Sequence, residues 1–327
     1  MKILCIRLSA IGDLVVTTPI LRALHHQLGA EVHVLTKALP AEVLRHNPHV
    51  RRVLHWPETN TATLRREAYD LLLDLHCNLR SHRMRLSLGV PALGYRKRNL
   101  EKWLLTQGLD LLGREHLVDR YFRAFATLGI RDDGGGLDYF TAPEELAHAR
   151  QLLRSIGPGE PFSALVLAAT HATKRMPIEL LVRTIAAAPE RRFVLLGGAD
   201  VRALADELLQ RLPKGSRERV LDLVNACPLR ISVAVLAEAD VVITPDTGLM
   251  HLAAALKLRI VSVWGSTAPG FGMYPHLPKA HARPRYVDAE VRGLDCHPCS
   301  RIGYGACPRG HFKCMHEQQP DGWTEAS

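Results

Sequence analysis

The chain has 327 residues, about two domains' worth at ~100–200 residues per domain. With 47% hydrophobic and 23% charged residues it is not a disordered or low-complexity chain, and it can bury two full cores. A net charge of +9 points to an anionic partner, and an odd seven cysteines fit a reducing compartment better than a secreted disulfide scaffold.

Residues 1–7 are charged too early for a secretion signal and read as a first strand. Further strands are expected over 31–36, 50–55 and 71–75, with the first running over 3–8. Between them, residues 13–28, 39–46 and 64–68 carry apolar side chains at helical spacing. Helices over 99–111 and 117–128 follow, and the Arg-Asp-Asp-Gly-Gly-Gly run at 131–136 breaks all periodicity, as a linker would. A helix over 143–156 opens with Pro143 and two glutamates, which suit a first turn. The alternation then restarts, with strands over 164–168, 193–196, 220–223, 241–244 and 260–264 and helices over 178–188, 201–212, 231–237 and 248–256. The fold class expected is therefore α/β, with two doubly wound parallel-sheet domains, residues 1–157 and 158–327, facing a central cleft. In such sheets ligands bind beyond the carboxyl ends of the strands. No segment reaches the ~18 uninterrupted apolar residues of a membrane span, and the odd cysteine count makes a cytoplasmic protein the expectation.

Three strand exits carry candidate chemistry. The first is Arg7-Leu8-Ser9-Ala10-Ile11-Gly12-Asp13, where Gly12 permits a sharp turn and close approach of a ligand. Asp13 either works there as a chemical group or merely complements the helix dipole. No G-x-G-x-x-G follows this strand, which weakens a dehydrogenase reading. The second exit is Thr244-Pro245-Asp246-Thr247-Gly248-Leu249-Met250-His251. Asp246 is placed to cap a helix whose first N–H groups, at Thr247, Gly248 and Leu249, would suit a pyrophosphate, with His251 a turn further in. Capping and packing alone would also explain these residues. The third is Thr170-His171-Ala172-Thr173-Lys174-Arg175-Met176-Pro177, where Lys174 could neutralise a departing diphosphate or belong to a solvated basic loop.

These motifs, in this order, resemble glycosyltransferase family 9, the ADP-heptose:lipopolysaccharide heptosyltransferases. The resemblance rests on Arg-Leu-Ser-Ala-Ile-Gly-Asp, the Lys-Arg-x-Pro segment and Asp-Thr-Gly-Leu-Met-His-Leu-Ala-Ala-Ala-Leu, and it spans nearly the whole chain. It implies a GT-B architecture with an acceptor-binding first domain and a donor-binding second domain, and an inverting transfer of heptose from an ADP-sugar to the lipopolysaccharide inner core. Neither a cofactor nor an essential metal is implied. By resemblance, Asp13 is the general base and Lys174 pairs with the donor phosphates. Gly12, Thr170, Asp246, Thr247, Gly248, Leu249 and His251 complete the donor site. Met176 departs from relatives that carry tryptophan before the proline, and Gly197-Gly198-Ala199-Asp200 follows its strand where the family varies, so no adenosine contacts are assigned.

Arg80, Arg83, Arg96, Lys97 and Arg98 form a basic stretch that suits an anionic lipopolysaccharide-core acceptor and a peripheral membrane contact. A solvated helix face is the plainer alternative. Nucleic acid is disfavoured because aromatics make up only 6% of the chain and do not interleave with these residues. Cys296, Cys299, Cys307 and Cys314 have zinc-like spacing, although free thiols are the preferred reading. Two rival functions stand beside the transferase: a same-fold enzyme, transferase or epimerase, acting on another nucleotide sugar, and a non-catalytic acidic-lipid-binding module.

Overall fold

The computed structural model describes residues 1–157, 159–279 and 286–325. In chain order the elements are β1 (Lys2–Ile6), α1 (Ile11–Val15), α2 (Thr18–Leu28), β2 (Glu31–Thr36), α3 (Ala38–Ala41), β3 (Arg52–His55), α4 (Thr61–Arg66), β4 (Leu71–Asp74), α5 (Leu79–Leu88), β5 (Ala92–Gly94), α6 (Asn99–Thr106) and α7 (Leu117–Ala124). They continue as α8 (Pro143–Leu152), β6 (Phe162–Val166), α9 (Ile178–Ala186), β7 (Arg192–Leu196), α10 (Arg202–Arg211), α11 (Lys214–Arg217), β8 (Val220–Asp222), α12 (Leu229–Ala237), β9 (Val241–Pro245), α13 (Gly248–Ala255), β10 (Arg259–Val263), β11 (Tyr286–Ala289) and α14 (Lys313–His316).

The chain forms two compact units. The first, made of Met1–Arg98, Glu115–Phe140 and His276–Ala282, holds a parallel sheet in the order β3-β2-β1-β4-β5. Its central strands are buried on both faces, which is why β1 and β4 read as apolar runs over 3–6 and 71–73. Leu4, Ile6, Leu35, Leu54, Leu64 and Leu72 close one side of it. Asn60 and Asn78 start α4 and α5 by accepting from the backbone N–H groups of Thr63 and Ser81, and Gly29 and Gly89 end α2 and α5 in the left-handed conformation that glycine adopts without strain.

The second unit comprises Asn99–Arg114, Thr141–Pro275 and Arg283–Ser327, with a parallel sheet in the order β11-β10-β9-β6-β7-β8. Read from β8, this is the doubly wound order in which the first strand of the domain, β6, lies beside its fourth, β9. Phe193, Leu195, Leu165, Ile243, Val263 and Trp323 lie in its core.

Several elements differ from the sequence reading. The helix expected over 13–28 is two, α1 and α2, because Pro19 starts a fresh first turn. Strand β5 and helix α5 carry too little hydrophobic patterning to stand out: α5 buries only Ser81 and Leu88. The glycine run at 131–136 is not a linker. Arg22 of α2 binds Asp133 and Asp138 and donates to the Gly136 carbonyl, while Lys279 binds Asp132 at 2.7 Å. These ties hold the run within the first unit, and the chain passes to the second at Phe140–Thr141. Helix α8, expected with the first domain, packs instead on α12 of the second, where the buried Glu145 carboxylate takes Arg230.

Candidate active site

In each unit the suspect residues leave the two strands that flank the point where strand order reverses. In the first unit those strands are β1 and β4. Arg7 follows β1 and is only 6% exposed. A buried guanidinium gains from protein acceptors, and the two terminal nitrogens of Arg7 meet the Leu75 carbonyl, the Tyr121 hydroxyl at 3.4 Å and Asp13 Oδ1 at 2.5 Å. Burial works against its charge, but Asp13 and then Tyr121 and Tyr95 hold its pKa well above the ordinary value. Asp13 lies in the first turn of α1, where its Oδ2 accepts from the Ala10 N–H at 2.9 Å. One carboxylate oxygen is therefore fixed by a buried cation and the other by the helix start. The carboxylate has its orientation set on both sides, as a general base requires. Gly12 is buried as the second residue of α1, so it is not itself the turn, which lies at Ser9 and Ala10.

The exit of β4 completes this half-site. Asp74 is buried and accepts from the backbone N–H groups of His76 and Cys77 at 3.0 and 2.7 Å and from the Ser81 hydroxyl at 2.8 Å. That network builds the turn into α5 and presents His76. Burial, and then the charges of Arg7 and Lys97, push the His76 pKa down to about 4, so it is neutral near pH 7. The same burial and the charge of Arg7 lower the Lys97 pKa. Of the predicted basic residues, Lys97 thus belongs with Arg7 and Asp13. Arg80 stacks over Trp56 at 4.8 Å and, with Arg83, lines a separate groove beside Thr61 and Met84. Arg98 is engaged with Glu115 at 3.4 Å, and Arg96 is exposed. Arg7, His76 and Tyr95 were missed as partners of Asp13. The available signal was a lone arginine directly after four consecutive apolar strand residues, Ile3, Leu4, Cys5 and Ile6.

In the second unit the flanking strands are β6 and β9. The loop after β6 carries exposed Thr170 and then a short 3-10 turn, Ala172–Lys174. Thr173 fixes this turn: its N–H donates to the Tyr304 carbonyl at 3.1 Å, and its hydroxyl bonds Ser266 at 2.8 Å and accepts from the Tyr304 N–H at 2.7 Å. Gly265 is required for that closeness, since a Cβ there would sit 2.5 Å from the Thr173 carbonyl oxygen. Lys174 Nζ lies 2.7 Å from Asp246 Oδ2, both side chains being largely covered, and the Thr267 hydroxyl donates to the same oxygen at 2.9 Å. Asp246 therefore does not cap α13. Thr247 occupies the cap position and its side chain makes no capping bond, so the first amides of α13, from Gly248 and Leu249, lead the helix. His251 is buried within α13, 2% exposed. Arg175 is turned away, onto the Ala169 carbonyl and Asp200. Thr170, Lys174, Asp246–Leu249 and His251 thus share one unit, whereas Gly12 belongs to the other.

The cysteine-rich tail supports this half-site. His297 bonds the Thr267 carbonyl at 3.0 Å, and the Ser300 N–H donates to the Ser266 carbonyl at 3.0 Å. Cys296 Sγ lies 3.8 Å from His311 Nε2, and burial pushes the Cys314 thiol up to about 12. All seven cysteines are free thiols. Among the described residues no group of three or more histidine, cysteine, aspartate or glutamate side chains is arranged to hold a metal ion, so the zinc-like spacing is not matched by a zinc-like arrangement. Among the described residues, too, no helix is long and apolar enough to cross a membrane.

Solved structures share this architecture over almost the full length. Glycosyl transferase family 9 from Veillonella parvula matches with a TM-score of 0.73 at 17% identity, over 96% of this chain and 92% of that one. ADP-heptose lps heptosyltransferase II of Escherichia coli matches with a TM-score of 0.72 at 20% identity, over 97% and 98%. The fold is that of a two-domain α/β protein of the GT-B class. Residues 60–282 match the family model of glycosyltransferase family 9 (heptosyltransferase), and the chain belongs to that family. Lipopolysaccharide heptosyltransferase 1 of Pseudomonas aeruginosa is 28% identical over 314 residues, 83% of this chain and 80% of the relative.

Proposed function

We propose that the chain transfers heptose from ADP-L-glycero-D-manno-heptose to the inner core of lipopolysaccharide, with inversion at the anomeric carbon. The observation that carries this reading is the pairing of the family match with an oriented, cation-held carboxylate, Asp13, at the strand exit of the first unit. Asp13 takes the proton of the acceptor hydroxyl as that oxygen bonds to the anomeric carbon. The bond from that carbon to the diphosphate oxygen breaks, and ADP leaves with the electron pair. Aspartate is a weak base at an ordinary pKa near ~3.9, so the proton moves late, when the attacking oxygen has become acidic. Arg7 keeps the carboxylate aimed throughout.

The second unit holds the donor in this reading. The α13 amides and the Lys174 ammonium face the diphosphate, and their positive charge gains value as the leaving group becomes anionic. Asp246 keeps the ammonium in place between turnovers. Lys97, beside Arg7, meets an anionic group of the acceptor, which arrives at the surface of the membrane that carries it. The division of labour follows the two units, acceptor on the first and donor on the second.

A donor panel tests the proposal. Purified protein is incubated with a heptose-free lipopolysaccharide core and ADP-heptose, UDP-sugars or GDP-sugars, and nucleotide diphosphate release is followed. Release from ADP-heptose that depends on the core acceptor is expected. Equal or faster release from a UDP-sugar, or release without acceptor, supports the same-fold alternatives instead.

A further inference from the structure

The residues 99–114 of the second unit have a divided character. Leu105 and Leu112 face inward and pack with Ala268 and Phe271 as a small apolar cluster. Leu100, Trp103, Leu109 and Leu111 face outward, with Leu100 64% and Trp103 52% exposed. Helix α6 buries none of its residues, although half of them are leucine or tryptophan. Positions 100, 103 and 104 fall on one side of a helix, so its outward stripe is apolar.

A second segment, distant in sequence, extends this surface. Arg301 Nη1 donates to Asn99 Oδ1 at 3.5 Å, at the start of α6, and the residues after it, Ile302 and Tyr304, are 66% and 43% exposed. Among the described residues, six of the eleven exposed large apolar or aromatic side chains therefore lie in two short segments joined by this contact. Scattered exposed leucines need no explanation, but a concentration of them in two linked segments, with a tryptophan and a tyrosine, does.

Charge decides what covers it. The two segments, residues 99–114 and 299–313, carry Lys102, Arg114, Arg301, Arg309 and Lys313 against Glu101 and Asp110, and of the five cations Arg114 and Lys313 also meet Asp288 and Glu317. Leucine and isoleucine with interfacial tryptophan and tyrosine, among basic side chains, is the composition that settles into an anionic bilayer surface. We infer that α6 and the Arg301–Tyr304 loop form a docking surface for an anionic lipid bilayer. Tyr304 also makes the backbone bonds that fix Thr173, so the docked surface adjoins the Lys174 turn and brings the donor half-site to the membrane that presents the acceptor. The inference rests on the proposed lipid-linked acceptor for its purpose, not for its evidence.

Sedimentation with vesicles that contain no acceptor separates the two. Wild-type protein should bind phosphatidylcholine vesicles containing phosphatidylglycerol and bind pure phosphatidylcholine far less. Leu100→Ser with Trp103→Ser should weaken binding to the mixed vesicles at least ~10-fold, since each lost apolar insertion is worth about a factor of ten or more. Arg301→Glu should weaken binding to the mixed vesicles alone. These side chains are exposed, and unchanged ADP affinity checks that the variants are folded. Wild-type protein that ignores the mixed vesicles, or variants that bind them equally, would overturn the inference while leaving the transferase reading intact. It would also be overturned if the double variant turned a self-associated wild type into a monomer in sedimentation velocity, since a second copy would then be the occupant.

Discussion

Replacing His76 with glutamine should flatten the acid limb of the stability curve by an amount that the structure sets. His76 sits where burial, Arg7 and Lys97 all oppose its cation, and its pKa falls from 6.5 to about 4. In the unfolded chain it would take up a proton near pH 6.5, whereas in the fold it resists until about pH 4. The unfolded state thus binds more protons between those values, so native stability is full above pH 6.5 and declines as pH falls toward 4. Linkage puts the His76 share of that loss at about 2 kcal/mol at pH 5 and about 3 kcal/mol at pH 4, at ~1.4 kcal/mol per pKa unit. Glutamine cannot titrate and keeps a polar group in the turn after β4. Urea unfolding of both proteins at pH 7.5, 6, 5 and 4.5 provides the comparison. The variant should lose less stability on acidification, by about those amounts, whatever its stability at pH 7.5. The other histidines with lowered pKa values, His33, His49, His276 and His297, titrate in both proteins and cancel. Parallel pH profiles would refute the reasoning and place His76 outside the Arg7–Lys97 field.

Three further outcomes are expected. Asp13→Asn should reduce kcat ~10²–10⁴-fold while ADP affinity stays within twofold, as steady-state rates and calorimetry would show, because the carboxylate acts on the acceptor; near wild-type turnover would leave Asp13 only a helix-start residue. Lys174→Ala should lower kcat as well as raise the donor KM, since its charge matters more as the diphosphate departs; a change confined to the acceptor KM would contradict its assignment. EDTA should leave initial rates unchanged, because Lys174 and the α13 amides supply the positive charge at the diphosphate; prompt loss of activity from folded enzyme would refute this.

Much of the architecture was legible because parallel strands buried on both faces are near-continuously apolar, and β1, β6 and β9 each carry a single polar residue, Lys2, Ser163 and Thr244. The motifs at their exits could be ranked because the doubly wound order places such exits at the ligand end. What failed to show was governed by partners far along the chain. The triple glycine looks like a linker until Arg22, more than a hundred residues earlier, is seen to hold Asp133 and Asp138. Asp246 looks like a helix cap, but the Lys174 ammonium competes for its carboxylate and wins it. Arg7 looks like the end of a strand, and only the fold shows that its buried guanidinium reaches Asp13, Leu75 and Tyr121 together. Helix α5 buries only Ser81 and Leu88 and strand β5 is three residues long, so no periodicity announces them.

The identity of the product decides most directly whether the chain is an inverting heptosyltransferase. A heptose-free lipopolysaccharide core is incubated with ADP-heptose and the protein, then characterised by mass spectrometry and by NMR at the new anomeric centre. A mass gain of one heptosyl residue per core, equimolar ADP, and an anomeric configuration opposite to that of the donor are expected. ADP released with the core unchanged, or a linkage that retains the donor configuration, would contradict that assignment.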